Sequence, residues 1–186
     1  MSSSSLKTTF IANQPARVRA FFTGEAQISV EKISEQIVEK SPVAFEFRKA
    51  EKGDSFLLVA SEQIHEALSF LRDSKDFEFN FLQVVSATDF PKKQRIELLY
   101  VLQSFLHGVQ LSVKTEVSRE KSVIKSVSDL FRAANWYERE CFDLLGVEFV
   151  GHPYLERILL PEDWVGHPLR KDYQFPETYN GMKVPL

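Results

Sequence analysis

The stretch Arg95–Val117, RIELLYVLQSFLHGVQLSVKTEV, decides the fold class. Apolar side chains occupy every second position in two parts of it, 95–104 and 109–117, as in half-buried β-strands. His107-Gly108 between them is a short connection that suits an antiparallel hairpin. The alternating apolar residues are Ile96, Leu98, Tyr100, Leu102, Val109, Leu111, Val113 and Val117.

The same periodicities extend outward to both sides of this hairpin. Residues 79–88 predict another strand, and the short connection Phe90–Lys93 joins it to the next. Toward the N-terminus, alternation predicts strands over 43–48 and 56–60, with a turn at 52–54. Helices are predicted over 30–40, capped by Ser29, and over 61–73, capped by Ser61. The order α-β-β-α-β-β-β predicts a two-layer α+β fold, with helices packed on a mostly antiparallel sheet.

The composition divides the chain of 186 residues into three parts. We predict a flexible N-terminal segment at 1–24, an α+β domain at 25–150 and an extended C-terminal tail at 151–186. Glycine and proline are concentrated after Leu145, where fixed φ angles and missing amide donors disfavour long helices and central strands. We expect this tail to lie on a partner.

Several classes of function are disfavoured by the same composition. A net charge of -3 has the wrong sign for general nucleic-acid binding. One cysteine, Cys141, cannot alone hold an iron–sulfur cluster. No glycine-rich nucleotide loop is present, and no apolar stretch is long enough to span a bilayer.

A helix should precede the tail. Ser126 begins a helical pattern, but Asn135 and Glu138 form a capping-box pattern that predicts a break and a restart. The second helix should end at Gly146 in the left-handed conformation, with Cys141 on its apolar side. Arg139 and Asp143 have the spacing of a solvated pair on a helix.

Two chemical hypotheses concern the acids and histidines of this region. Glu140 and Asp143 could form an acid–base pair, although no matching nucleophile is evident. The repeated Gly-His-Pro motif could place His152 and His167 on a metal ion, together with Glu162 or Asp163. The chain would then be a small metal-dependent hydrolase. The alternative is that each histidine forms a hydrogen bond to a neighbouring backbone group or carboxylate in a turn.

The run from Glu138 to Pro153, ERECFDLLGVEFVGHP, resembles the signature of the respiratory-chain thirty-kilodalton subunit family. The resemblance continues through Leu155–Leu159, Pro161–Trp164 and Gly166–Tyr173, and Asp89 fits a position that is often Asp in the family. Tyr154 and Glu156 depart from the family pattern. Members are the C subunit of NADH:quinone oxidoreductase (complex I). The residues that match the signature are Glu138, Arg139, Glu140, Asp143, Gly146, Gly151, His152 and Pro153.

The resemblance implies a hydrophilic-arm protein that has no catalytic residues and no cofactor of its own. NADH, FMN, iron–sulfur clusters and quinone would belong to partners. These partners are the forty-nine-kilodalton-type subunit, also called the D subunit, and neighbouring iron–sulfur subunits. The chain would meet the bacterial inner membrane only through the complex, on its cytoplasmic face. An equivalent subunit of a membrane-bound hydrogenase or a ferredoxin-linked complex is the alternative.

The resemblance also assigns a partner interface to the tail. Arginine and aromatic side chains dominate interface energetics, and the expected interface residues are Arg157, Trp164, His167, Arg170, Lys171, Asp172, Tyr173 and Phe175. A further hypothesis is that Glu140 and Asp143 hold Arg157 or Arg170 within the chain.

Overall fold

The computed structural model describes residues 29–49 and 54–184. The predicted segment 1–24, turn residues 52–53 and the last two residues of the tail lie outside the described part. The helices are α1 (Val30–Lys40), α2 (Ile64–Asp73) and α3 (Ala134–Leu145). The strands are β1 (Glu46–Arg48), β2 (Phe56–Leu58), β3 (Phe81–Phe90), β4 (Arg95–Ser104), β5 (Val109–Ser118), β6 (Val123–Lys125), β7 (Glu148–Val150), β8 (Thr178–Tyr179) and β9 (Met182–Lys183).

A five-stranded sheet in the order β1-β2-β5-β4-β3 forms the centre of the fold. Its pairs are antiparallel except β2 with β5, which run parallel. The register aligns Leu57, Val113, Tyr100 and Val85 across four strands, and all four side chains are buried. Because opposed residues share a face, this row identifies the face toward the core. The predicted α+β class with a mostly antiparallel sheet is confirmed.

Helices α1 and α2 bury their apolar sides in this core. Ile33 and Ile37 of α1, and Leu68 and Leu71 of α2, are essentially inaccessible to solvent. The Ser29 hydroxyl accepts a hydrogen bond from Lys32 N, as expected for an N-cap.

Several predicted boundaries are wrong. Ser61 begins a 3-10 turn, Ser61–Gln63, and α2 starts only at Ile64. Strand β3 starts at Phe81 rather than Phe79, since Phe79 N donates to Leu71 O of the preceding helix instead of to a strand.

Helix α3 connects two short parallel strands. In β6 and β7, Ile124 lies opposite Phe149, and both are buried. The predicted helix beginning at Ser126 and the capping box of Asn135 are wrong, because α3 starts at Ala134 and runs unbroken. A bulge at Gln83 in β3 leaves the Gln83 carbonyl to accept a hydrogen bond from Tyr137 of α3, at 2.7 Å.

The tail is not one extended segment. Residues 151–177 form a series of turns, and the hairpin β8–β9 follows them. Asn180 and Gly181 both have positive φ between these strands, which is the pairing that two-residue hairpins favour. That dipeptide signal was available in the sequence and was missed.

None of the helices within residues 29–49 and 54–184 combines the length and apolarity needed to cross a membrane.

Candidate functional site

Asp143 of α3 is the centre of the polar contacts that hold the tail. Its carboxylate is fully buried and accepts backbone N–H bonds from Ile158, Leu159 and Leu160 at 2.8–3.0 Å. Arg157 Nη1 donates to the other oxygen at 2.6 Å. Burial alone would raise the pKa of Asp143, but these donors outweigh it and hold the pKa below its usual value. The buried carboxylate is therefore a charged anchor rather than an acid or base.

The Arg157 guanidinium donates hydrogen bonds to groups of the same chain. Besides Asp143, it donates to the carbonyl oxygens of Trp164 at 2.9 Å and Gly166 at 3.2 Å. The hypothesis that Asp143 holds Arg157 is therefore correct, whereas the solvated Arg139–Asp143 pair is wrong. Glu140 is exposed and takes no part in this anchor. A role for Arg157 at a partner interface stays a prediction.

The end of α3 is capped by the tail. A helix leaves its last carbonyl groups without intrahelical partners. Here Asp143 O accepts from His167 Nδ1 at 2.9 Å, and Leu144 O accepts from Leu169 N at 3.0 Å. The Leu145 carbonyl accepts from Arg170 Nε at 2.7 Å. Arg170 thus lies at the negative end of the helix dipole, where a cation is favoured.

Gly146 lets the second Gly-His-Pro motif approach this helix end. It ends α3 at a φ of 70°, as predicted. A Cβ atom at this position would lie 2.6 Å from atoms of the His167 ring. Glycine is therefore required by both the backbone conformation and the close contact.

The first Gly-His-Pro motif meets the opposite end of α3. His152 Nδ1 accepts from Tyr154 N at 3.0 Å, so Nε2 carries the proton and donates to Asn135 O at 3.1 Å. Burial, the largest influence, lowers the pKa of His152 and favours this neutral ring. Gly151 has positive φ, and Pro153 is exposed.

The proposed metal ligands are not brought together. His152 and His167 bind backbone carbonyls at opposite ends of α3, while Glu162 and Asp163 are exposed. Within the described part of the chain, no three His, Cys, Asp or Glu side chains are grouped to hold a metal ion. His152 meets a neighbouring backbone group, Tyr154 N, as the alternative expected, whereas the carbonyl groups bound by the two histidines are distant in the chain.

A second buried carboxylate ties the tail to the sheet. Asp89 in β3 is only 4% exposed and accepts a bidentate pair of hydrogen bonds from Arg119, at 2.7 and 3.1 Å. The amide of Lys171 donates to the same carboxylate at 2.9 Å, and Asp172 pairs with Arg119 from the other side. We call residues 151–173, which Asp143 and Asp89 fix to the body, the anchored segment.

Arg119 was missed by sequence analysis. Arg119 directly follows β5, two residues after Val117, and continued alternation puts it on the same face of the sheet. Val117 aligns with Asp89 through Ile96 of β4. A buried carboxylate in an apolar strand requires a cation or several donors. Asp89 was therefore the signal that could have identified Arg119.

Glu138 stabilises the connection between β6 and α3. Its buried carboxyl accepts from Ser126 Oγ at 2.6 Å and from Val127 N at 2.8 Å. Glu138 is thus not the capping residue that was predicted. Burial raises the pKa of Glu138 to about 7, despite these two donors.

Cys141 lies on the core side of the helix as predicted, and burial raises the pKa of its thiol to about 12.

Because the pKa of Glu138 is raised, we predict that ionisation of its carboxyl group lowers the free energy of unfolding as pH rises. The unfolded chain loses this proton near pH 4.5, whereas the folded chain keeps it until about pH 7. The contribution of the protonated carboxyl group to stability is fully present below pH 4.5 and is lost as pH rises through 7. The free energy of unfolding falls by about 3 kcal/mol in consequence. Urea unfolding at pH 5 and pH 8 should show this loss in the native chain relative to Glu138→Gln. The prediction would be contradicted if the free energies of unfolding of the two proteins differed by the same amount at both pH values.

The other predicted interface residues are divided between the surface and internal contacts. Trp164 is half-buried against the Tyr179 ring of the terminal hairpin, with centroids 5.1 Å apart. Tyr173 donates to Val165 O and stacks edge-on against Phe175, which is 47% exposed. Lys171 and Asp172 are exposed.

Comparisons with known proteins identify a family for this chain. The family model described as respiratory-chain NADH dehydrogenase, 30 Kd subunit, matches residues 57–179. The NADH-quinone oxidoreductase C subunit of Chlorobium phaeobacteroides is 41% identical over 70% of this chain and 79% of its own. The Roseiflexus sp. protein of the same name is 43% identical over 65% and 70%.

Solved structures show the same fold. A chain of the membrane-bound sulfane sulfur reductase, an archaeal respiratory membrane complex, matches with a TM-score of 0.67 and 30% identity, over 77% of this chain and 85% of its own. The trypsin-resistant fragment (1-134) of Nqo5 matches with a TM-score of 0.55 and 26% identity, over 68% and 98%.

The names of these sequence relatives do not favour a hydrogenase-type or ferredoxin-linked assignment, or the hydrolase alternative. The family model covers most of the chain, including both buried anchors and the signature helix. The chain therefore belongs to the respiratory-chain NADH dehydrogenase 30 Kd subunit family, and it is similar to relatives named as the C subunit of NADH-quinone oxidoreductase.

Proposed function

We propose that this chain is a non-catalytic docking subunit of such a complex. Its partners would be the D subunit, which is the forty-nine-kilodalton-type protein, and neighbouring iron–sulfur subunits. One observation carries the proposal: the anchored segment exposes apolar side chains although buried carboxylates hold it in place. Leu159, Val165 and Leu169 are 61%, 84% and 53% exposed. Clusters of exposed apolar residues commonly mark sites of protein association.

The anchoring suits a docking surface because it lowers the entropy lost on binding. A segment already held by Asp143 and Asp89 needs little further ordering when a partner arrives. The polar bonds of Arg157 and Arg170 are directed inward. Leu159, Val165 and Leu169 can therefore offer apolar contact outward.

We further propose that no electron carrier is bound to this chain. Its single cysteine is buried, and a thiol with a pKa near 12 is a poor metal ligand. NADH, FMN, clusters and quinone are then held by partner subunits. The chain would reach the cytoplasmic face of the bacterial inner membrane only as part of the complex.

Charged residues introduced on the anchored segment test this function. In the double variant Val165→Asp/Leu169→Asp, both positions are exposed, so the free energy of unfolding should change by only about 0.5 kcal/mol per position. Carboxylates at an apolar interface must be desolvated, so co-purification with a tagged D subunit should be lost. The variants are made in the full chain and expressed with the partner subunits.

Val38→Asp is the matched control, because Val38 is also an exposed apolar residue, at 41%, but lies on α1. It should co-purify at the native level. Native co-purification of the double variant would overturn the proposed docking role.

A further inference from the structure

Where α3 meets the anchored segment, two aromatic rings flank an arginine. The guanidinium carbon of Arg139 lies 5.4 Å from the ring centroid of Trp136 and 5.3 Å from that of Tyr154. Arg139 also donates to the carbonyl oxygens of Glu156 at 3.1 Å and Arg157 at 2.9 Å. We call Trp136, Arg139 and Tyr154 the aromatic–arginine stack.

The two rings of the stack are exposed, and its arginine is bonded to the backbone. Trp136 is 61% exposed and Tyr154 is 56% exposed, although large aromatic rings are usually more buried. Arg139 joins α3 to the anchored segment through its two backbone bonds, so the guanidinium between the rings is held by the chain itself. Tryptophan, tyrosine and arginine are the residues most enriched in interface hot spots.

Carboxylates lie near this stack. Glu156 and Glu162 are both close enough to the Tyr154 hydroxyl to raise its pKa, Glu156 the more strongly. Glu140 is exposed on α3, four residues after Trp136. Arg132, an exposed cation, precedes Trp136 by four residues, so Arg132 and Arg139 together leave an excess of one negative charge against the three carboxylates.

We propose that the aromatic–arginine stack and its three carboxylates, Glu140, Glu156 and Glu162, form a docking surface for a basic protein face. The proposal rests on the proposed function and commits to one occupant, a Lys- or Arg-rich face of the D subunit. The rings provide the apolar contact at the centre. The carboxylates provide charge complementarity, which accelerates association and selects against acidic partners.

The test compares association rates of full-length chains with the purified D subunit, from about 50 mM to 500 mM salt, since salt screens such attraction. The triple variant Glu140→Gln/Glu156→Gln/Glu162→Gln should associate roughly tenfold more slowly at the lowest salt and equally fast at the highest. Trp136→Ala should weaken binding at every salt concentration. The matched control is Glu39→Gln/Glu62→Gln/Glu66→Gln, which removes three carboxylates from outside this surface and should behave as native.

The outcomes separate this inference from the proposed function. The triple variant could associate at the native rate, with native salt dependence, while Trp136→Ala weakens binding. That result would overturn the proposal that the partner face is basic and leave the docking role intact. Native binding by both Trp136→Ala and the triple variant would overturn this docking surface. Absence of binding by the native chain would overturn both proposals.

Discussion

Replacing Asp143 with asparagine should lower the free energy of unfolding by about 3–5 kcal/mol, the largest effect expected for a single substitution here. The amide group cannot accept from all the donors that meet the carboxylate, namely Ile158, Leu159 and Leu160 N–H and Arg157. Buried N–H groups would lose partners, and the Arg157 guanidinium would lose its counter-charge. Urea unfolding of the purified chain measures the change.

Glu140→Gln is the matched control for this substitution. Glu140 lies on the same helix and loses the same charge, but it is exposed, so its removal should change stability by no more than about 0.5 kcal/mol. A loss in Asp143→Asn no larger than that of the control would contradict the role assigned to the buried carboxylate.

Gly146→Ala should lower the free energy of unfolding by about 3 kcal/mol. The left-handed backbone at a φ of 70° disfavours any Cβ atom by about 1–2 kcal/mol. The new methyl group would also lie 2.6 Å from His167, whose ring must move and lose its bond to the Asp143 carbonyl. Overpacking of this kind adds about 1–3 kcal/mol.

Gly151→Ala separates these two contributions. Gly151 has a φ of 85°, but a Cβ atom there would meet nothing within 4 Å. It should therefore show only the backbone effect, about 1–2 kcal/mol. Equal losses in the two variants would contradict the close contact between Gly146 and His167.

The sheet could be predicted from the sequence because its signals are local. Alternation within 95–104 and 109–117 is a property of consecutive residues, and the structure places β4 at Arg95–Ser104 and β5 at Val109–Ser118. The end of α3 at Gly146 is likewise local, since glycine adopts positive φ easily. The parallel pairing of β2 with β5 joins segments that are far apart in the chain, and no local pattern encodes it.

The site was harder to predict because its partners are distant in the chain. Glu138 resembled a capping residue three positions after Asn135, but its donors lie at Ser126 and Val127. The spacing of Arg139 and Asp143 favoured a surface pair, whereas each side chain binds the tail instead. Helical spacing shows which residues can meet, and burial decides whether they do.

The anchors also change what a deletion is expected to do. From the sequence, removal of 166–186 should leave the body folded. His167 and Arg170 cap α3 in the structure, and Lys171 binds Asp89. We therefore expect that deletion to destabilise the body itself, so it cannot separate folding from docking as cleanly as surface variants do.

Amide hydrogen exchange of the purified chain, without partners, tests the central claim that the anchored segment belongs to the folded body. The amides of Ile158, Leu159 and Leu160 all donate to the buried Asp143 carboxylate. We predict that they exchange slowly in the native chain, because they must open before exchange, and much faster in Asp143→Asn. Exchange of these amides at the rate of an unstructured peptide in the native chain would contradict the account.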